Sequence, residues 1–581
     1  MTPFLGVSTS ITGRRWVGLS EADDRFAQSI AQHTNLPITL SRTLARLQVN
    51  PSDALAYLSP SLRDLMPDPS IFRDMEKAAQ RITSAIIKRE TIAIFADYDV
   101  DGGSCAALLI DFFRHFELSA TLYIPDRIDE GYGPNEPAMV NLAAHHDLII
   151  CVDCGTLSHD AIAAAKNAEV IVLDHHVGGE TLPPALAIVN PNRQDEDTMF
   201  GNLCAAGVVF LTLVAVNRIL RSKEITTPDL MAMLDLVALA TVADVAPLTG
   251  LNRALVRQGL TVMARRNRVG IAALSDVARL TSAPDSYHLS FALAPRINAG
   301  GRIGKADLGA RLLAATDPDE AAAMADQLSQ LNSDRREIEA QVSLKAMEQA
   351  EERGFDAPLV WAAGKGWHSG VVGIVASRLK EASNRPSIVI GLEDGKGKGS
   401  GRSVTGIDLG SAIATCTHEG LLLKGGGHKM AAGLTLSEDK LQPAMERLAE
   451  LLQKQGADNI GPKDLCLDGS IMPAAITTEL IEQLELAGPY GAGAPAPRFA
   501  LPAQKITFAK RAGENHLRLT AKDANGGRID SICFGAYDGP IGPTLENHKG
   551  QSFHLAGRLE IDEWGGRRKA KLRLEDAAVA D

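Results

Sequence analysis

No run of apolar residues in this sequence approaches the roughly 20 that a membrane-spanning helix requires, and there is no internal repeat or low-complexity tract. The start of the chain has Arg14 and Arg15 but no apolar stretch of signal-peptide length before them, and the acidic Glu21, Asp23 and Asp24 follow. Cysteine is scarce. The seven residues Cys105, Cys151, Cys154, Cys204, Cys416, Cys466 and Cys533 are odd in number and scattered, which argues against a disulfide framework and fits a reducing compartment. The expectation is a cytoplasmic protein with no membrane association. A positive net charge is missing too: 59 Lys and Arg stand against 71 Asp and Glu, for a formal charge of -12. That sum counts weakly against nucleic acid, whose phosphates a binding protein must neutralise. Distribution outweighs the sum, because an acidic exterior can coexist with a basic channel, and metal-binding carboxylates add charge that bound cations offset.

What is present is a chain long enough for about three to five domains, since a single core stops growing well short of 581 residues. Its 45% hydrophobic and 22% charged content is ordinary for a globular protein. TIAIFA (91–96) runs into an acidic loop and then a helix-like AALLIDFFRHF. LIICV (148–152) ends at Asp153, AIAAAKNA reads as a helix, and VIVL (170–173) ends at Asp174. Alternating strand and helix predicts a parallel sheet of short buried strands, with ligand-binding residues at their carboxyl ends. Residues 228–265 read as helical. The segment 317–353 carries Leu328, Leu331, Ile338, Val342 and Met347 among many charges, a long amphipathic helix leading to a second α/β lobe with strands in PLVWAAG and PSIVIGL. After about residue 463, HLRLTAK, SFHLAGRLEID and KAKLRLED alternate apolar and polar positions, which predicts an antiparallel β domain. Its length suits a small OB-type barrel, but pattern alone does not separate a barrel from a sandwich.

Four segments carry the chemistry: Asp97-Tyr98-Asp99-Val100-Asp101-Gly102, Val152-Asp153-Cys154-Gly155, Leu173-Asp174-His175-His176 and Thr241-Val242-Ala243-Asp244. Each sets Asp or His at the end of a predicted strand or helix. Hard carboxylates with one or two imidazoles suit Mn²⁺ and, less selectively, Mg²⁺. Two such ions, about 3.5 to 4 Å apart, activate a water and stabilise the attacking and leaving oxygens at phosphorus. Any one segment alone reads as a solvated turn, and the pair His145-His146, with no strand-end Asp before it, shows how little adjacent histidines mean. The ordered set is the signal.

Together DYDVDG, VDCG, LDHH and TVADVAPL resemble motifs one to four of the DHH phosphoesterases, in the variant of the RecJ-like exonucleases. The resemblance runs from about residue 45 to the C-terminus. It implies Asp99, Asp101, Asp153, His175 and Asp244 as metal ligands, with Asp153 bridging two ions. It sets Asp97 and His176 beside them as catalytic residues, His176 acting on the substrate phosphate or as a proton donor, and Asp174 orienting a histidine. IPDRIDEGYG, RINAGGR, GSGRS and KGGGHKMAAG extend the match, the last two into a DHHA1 domain. Arg127, Arg302, Ser400 and Arg402 are then expected to grip a 5′ terminal phosphate from Gly-rich turns, with His428 on the nucleotide phosphate. In WHSGVVGIVASRLKE, Trp367 is either a base-stacking platform or a core residue, and Arg336 stands where the family more often has Gln. Lys510, Arg511, Arg567, Arg568, Lys569 and Lys571 form either the edge of a strand-binding track or a solvated face. Cys151 and Cys154 make a C-x-x-C pair with no second pair to complete a zinc site, so packing is their expected role.

The implied organisation is an N-terminal segment (1–65), a DHH catalytic domain (66–250), a helical linker (251–354), a DHHA1 domain (355–460) and an OB-like nucleic-acid-binding domain (461–581). The implied activity is 5′-to-3′ exonucleolytic hydrolysis of single-stranded DNA to 5′-mononucleotides in repair and recombination, by a monomer that uses two Mn²⁺ or Mg²⁺ ions and meets a helicase and a single-strand-binding protein. The rivals are a DHH phosphodiesterase acting on short oligonucleotides, cyclic dinucleotides or pyrophosphate, which the extra β domain disfavours, and a non-catalytic single-strand-binding scaffold, which the complete ligand set disfavours.

Overall fold

The structure is a computed structural model that describes residues 2–580 apart from residues 128, 197, 462 and 564–567. By contacts the chain divides into an α/β unit, residues 67–244 and 258–461, and a barrel unit, residues 1–66, 245–257 and 462–581.

In the α/β unit a five-stranded sheet has the order Ala120–Tyr123, Ile92–Ala96, Leu148–Val152, Glu169–Leu173, Ala187–Val189, with every pair parallel. Ile92–Ala96 and Leu148–Val152 are buried at every position, as strands covered on both faces must be. Ala93, Phe95, Ile149 and Cys151 form one core with helices Glu136–Ala143 and His159–Ala164. The carboxyl ends of the strands set Asp97, Asp153, Asp174 and Asn190 along one edge. Among the described residues one helix, Ala205–Ser222, is long and apolar enough to cross a membrane by length and composition. It is mostly buried, and its first two backbone N–H groups bind Asp101, so it serves as a core helix of this unit.

The long helix Pro318–Arg353 is started by Asp317, whose carboxylate accepts the N–H groups of Asp319 and Glu320 at 2.9 Å. Its buried positions run 321, 325, 328, 332, 335, 339, 342, 346 and 350, steps of three and four that make a single stripe. A second five-stranded sheet has the order Lys424–Gly427, Ala431–Ser437, Lys396–Arg402, Ser387–Glu393, Val360–Lys365, parallel only between the last two. Ser400 and Arg402 therefore sit in a strand, not in the turn expected from their glycines. Gly397, Gly399 and Gly401 alternate with them toward the core, where a Cβ would come within 2.6 to 2.9 Å of Ile390 or Leu409. These glycines permit close packing, and the polar residues between them take the opposite face.

In the barrel unit the strands Phe499–Ala512, His516–Lys522, Arg528–Cys533, Lys569–Val579 and Ser552–Asp562 pair in that order, and the last closes on the first. Arg528–Cys533 and Lys569–Val579 are parallel, the others antiparallel. This is a closed five-stranded OB-type barrel, with Leu517, Leu519 and Ala521 inside. The N-terminal residues belong to this unit: Arg15–Val17 pairs in parallel with Asp464–Cys466, and the indole N–H of the fully buried Trp16 donates to Asp576 at 2.9 Å. Arg253, 1% exposed, lies 4.0 Å over the Tyr57 ring and donates to the carbonyls of Tyr57, Leu486 and Ala487, which ties residues 245–257 into the same core.

Candidate metal centre and phosphate pocket

Asp99 caps the helix Val100–His115, its carboxylate accepting the N–H groups of Asp101 at 2.8 Å and Gly102 at 3.2 Å. At Gly102 a Cβ would lie 2.4 Å from the Asp97 carbonyl oxygen, so the turn that brings Asp97, Asp99 and Asp101 together needs glycine there. Asp101 is buried and accepts the N–H groups of Ala205 (2.7 Å) and Ala206 (2.8 Å), at a helix N-terminus that favours a carboxylate. Asp153, 2% exposed, holds a left-handed backbone at φ 59°, a conformation Asp tolerates better than most residues. Asp244 ends the helix Leu234–Ala243.

Asp174 organises the two histidines. One of its oxygens accepts the Thr156 N–H (3.1 Å) and hydroxyl (2.6 Å); the other accepts the backbone N–H groups of His175 (2.8 Å) and His176 (3.2 Å) and lies 2.8 Å from His176 Nδ1. His175 Nε2 then stands 3.3 Å from Asp153 and 3.8 Å from Asp101, and its Nδ1 stands 3.8 Å from Asp244. Among the described residues three overlapping groups have ligand atoms within 4.8 Å of one another: Asp97, Asp99 and Asp153; Asp101, His175 and Asp244; Asp153, His175 and His176. Asp153 and His175 each belong to two of them.

The electrostatics match a site built for cations. Burial, with the charges of the neighbouring aspartates, pushes Asp97, Asp101 and Asp153 above the usual carboxylate range, and pushes Asp244 up to about 8. Among the described residues, one oxygen each of Asp97 and Asp153 is buried without a hydrogen-bond partner. A buried carboxylate oxygen left in that state is costly, and a divalent cation is the partner this donor set suits. Burial also acts to lower His176, but the hydrogen bond and charge of Asp174 outweigh it and raise the imidazole to about 9. The same pairing overcomes burial at Asp174 and holds that carboxyl well below its ordinary range.

Beside the carboxylates stand three guanidiniums. Arg127 lies 5.0 Å over the ring of Tyr98, which sits between Asp97 and Asp99, and the Tyr98 carbonyl is close enough to Gly301 that a Cβ there would come within 2.7 Å. Arg302 donates to the Gly370 carbonyl at 2.8 Å; Arg402 donates to the Ser400 hydroxyl at 2.9 Å and the Gly401 carbonyl at 2.8 Å. Burial, then the charges of Arg127 and Arg335, lowers Arg302 to about 10, and burial with Arg127 lowers Arg402. Among the described residues none of the three forms an ion pair with a carboxylate. His428 is exposed at the turn between Lys424–Gly427 and Ala431–Ser437, and no side-chain hydrogen bond joins it to this trio among the described residues.

Sequence reasoning missed the groups that hold these loops. Asn190 donates to Thr156 Oγ1 and the His176 carbonyl, both at 2.8 Å, and Asn192 to the carbonyls of His175 (2.6 Å) and Gly201 (2.9 Å). The hydroxyl of Tyr132 donates to the Asp153 carbonyl at 2.9 Å and lies 3.1 to 3.2 Å from the ring nitrogens of His176. The available signal was VNPN at the end of a strand and the Tyr in EGYG. Trp367 is 9% exposed and packs in the core with Val371 and Val375, so it is no stacking platform. Cys151 and Cys154 are buried and unpaired. Arg568 pairs with Glu482 (2.8 Å) and Glu563 (3.2 Å), the pattern of a solvated face; Arg567 lies outside the described residues.

Family models match three stretches: the DHH family N-terminal domain at residues 91–241, the DHHA1 domain at 356–454 and the RecJ OB domain at 467–576. The single-stranded-DNA-specific exonuclease RecJ of Dickeya dadantii is 36% identical over 568 residues, covering 93% of this chain and 97% of that protein. The Escherichia coli protein of the same name is 35% identical, with 94% and 98% covered. A crystal structure of RecJ in complex with Mn²⁺ from Thermus thermophilus superposes with a TM-score of 0.80 at 28% identity, covering 97% of this chain and 79% of that one. With its motifs at the strand ends of one sheet, its second sheet and its closed barrel, the chain belongs to the RecJ family of DHH phosphoesterases.

Proposed function

We propose that the chain is a divalent-metal-dependent exonuclease that degrades single-stranded DNA from its 5′ end to 5′-mononucleotides, serving repair and recombination in the cytoplasm. The observation that carries this reading is the juxtaposition, among the described residues, of buried oxygens on Asp97 and Asp153 that accept no hydrogen bond with guanidiniums that form no ion pair with a carboxylate, joined through Tyr98. Asp99, Asp101, Asp153, His175 and Asp244 would hold two ions, Mn²⁺ or Mg²⁺, with Asp153 shared and Asp97 alongside. Bound there, such ions lower the pKa of a water and offset charge on the phosphate oxygens.

The remaining chemistry belongs to the chain. Arg127, Arg302, Ser400 and Arg402 hold the terminal 5′ phosphate, with His428 toward the nucleotide phosphate, so that the next phosphodiester lies over the carboxylates and cleavage frees one nucleotide. His176, held by its contact with Asp174, faces that phosphate, acting on it directly or donating a proton to the leaving 3′ oxygen. The barrel supplies strand affinity. On its outer surface Lys505 is opposite Lys522, Lys522 is opposite Arg528 and Lys510 is opposite Arg518. Like charges so placed repel, and a phosphate backbone laid across them removes the repulsion. In this scheme residues 66–250 carry the metals, 251–354 link the lobes, 355–460 hold the terminal phosphate, and 461–581 bind the strand, with 1–65 in support. The enzyme would act as a monomer on strands presented by a helicase and a single-strand-binding protein. The barrel disfavours a dinucleotide or pyrophosphate substrate, and the crowded ligand set disfavours an inert scaffold.

Digesting 5′-labelled and 3′-labelled single strands and a blunt duplex, with Mn²⁺ or Mg²⁺ and then with EDTA, tests the reading. The expected result is immediate release of the 5′ label as a mononucleotide, shortening 3′-labelled products, an intact duplex and no reaction with EDTA. Release of the 3′ label first, or strand binding without cleavage, contradicts it.

A further inference from the structure

Tyr132 is 52% exposed, yet its hydroxyl turns inward to two groups of the metal centre. It donates to the carbonyl of Asp153, the residue whose left-handed backbone aims the shared carboxylate, and it reaches the imidazole edge of His176 with the rings 5.5 Å apart at 62°. The tyrosine oxygen lies 3.1 Å from His176 Nδ1, which Asp174 also approaches at 2.8 Å, and 3.2 Å from Nε2. The same loop carries Arg127 five residues earlier.

That loop is closed on itself by Glu130. The Glu130 carboxylate accepts the Tyr123 hydroxyl (2.5 Å), the Asp126 N–H (2.7 Å) and the Asn135 amide (3.1 Å), while the N–H groups of Glu130 and Gly131 return to the Asp126 carbonyl at 2.9 and 3.0 Å. A charged acceptor shared by three donors ties Tyr123, Asp126 and Asn135 to Glu130. Arg127 follows Asp126 and Tyr132 follows Gly131, the residues that these hydrogen bonds join.

We propose that Tyr132 is a positioning residue that relays occupancy of the arginine pocket to the metal centre: a terminal phosphate drawn onto Arg127 seats Tyr132, and Tyr132 seats the Asp153 backbone and the His176 ring. This rests on the 5′-phosphate reading above. It implies that a 5′ phosphate raises kcat as well as lowering KM, because binding at one site completes the other.

The test compares wild type, Tyr132→Phe and Tyr132→Ala on strands identical except for a 5′-phosphoryl or 5′-hydroxyl end, together with calorimetric Mn²⁺ affinity with and without inorganic phosphate. In wild type the 5′ phosphate is expected to raise kcat about tenfold, and phosphate to tighten Mn²⁺ by at least about fivefold, the lower range of allosteric coupling. Tyr132→Phe is expected to keep the KM preference for the phosphorylated end while losing the kcat gain and the calorimetric coupling. A wild-type-like Tyr132→Phe beside a defective Tyr132→Ala would assign the residue to ring contact and overturn the relay. So would a wild-type kcat indifferent to the 5′ group, or equal losses in Tyr132→Phe on both strands with coupling intact. Failure of the exonuclease reading itself would show separately, as wild type that cuts neither strand.

Discussion

The α/β unit contains two crowds of like charge, and they differ in what can relieve them. The carboxylates Asp97, Asp101 and Asp153 are 2 to 3% exposed and can shed their charge by taking up protons, which is why burial and mutual repulsion raise their pKa values. Burial, and then the charge of Arg127, lowers both Arg302 and Arg402, but a guanidinium stays charged at any working pH. The acidic crowd has two remedies, protons or cations, and the basic one has only an anion. A nucleic-acid end next to divalent ions serves both at once.

Removing the shared ligand should have the largest effect. Asp153→Ala is expected to lower Mn²⁺-dependent nucleotide release by a factor on the order of 10³ or more, since it takes a ligand from two of the three groups. A variant that keeps full activity would dissolve the acidic half of the comparison. Arg402→Ala should act on the basic half, raising KM for 5′-phosphorylated strands by about 10- to 100-fold, the loss of roughly 1.4 to 3 kcal/mol in charge-assisted hydrogen bonds. Strands with a 5′ hydroxyl should change little, and Arg402→Lys should not rescue, because a point charge cannot reproduce the fork that spans Ser400 and the phosphate. Unchanged discrimination between the two ends would take Arg402 out of the pocket.

How much of this was legible beforehand follows from chemistry. Asp97, Asp99, Asp101, Asp153, Asp174 and Asp244 stand out because each interrupts or ends an apolar run that must be a buried strand or helix, and charge there demands a reason. Tyr132, Asn190 and Asn192 do not stand out, because their work is done on backbone carbonyls that only the fold brings within reach. The pairing of Arg15–Val17 with Asp464–Cys466 spans some 450 residues and has no local pattern, and so the N-terminal residues read as a separate segment although they pack with the barrel. Glycines in KGKGSGR suggested turns; they are the buried face of a strand. The choice between barrel and sandwich required the closing pair, Phe499–Ala512 with Ser552–Asp562.

Protons and cations compete for the acidic crowd, and stability should report it. In metal-free protein the folded state keeps protons on Asp97, Asp153 and Asp244 that the unfolded chain releases near pH 4, so stability should fall as pH rises from about 4 toward the value near 8 at Asp244. Mn²⁺ takes the place of those protons, and its stabilising shift in Tm should grow between pH 6 and 8. A shift that is flat with pH, measured by thermal melts with Mn²⁺ or with EDTA, would break the link between crowding and metal binding. The smallest effect is expected in the barrel unit: Arg568→Ala should leave strand affinity within about twofold, because its charge is already answered by Glu482 and Glu563 at the surface. A larger loss, read by fluorescence anisotropy of a labelled strand, would move that face into the track.

The most direct test of the central claim is anomalous scattering from crystals grown with Mn²⁺. Two peaks are expected about 3.5 to 4 Å apart, with Asp153 reaching both and His175 and Asp244 beside one of them. No peak within coordination distance of Asp153, or peaks seated elsewhere in the chain, would contradict it.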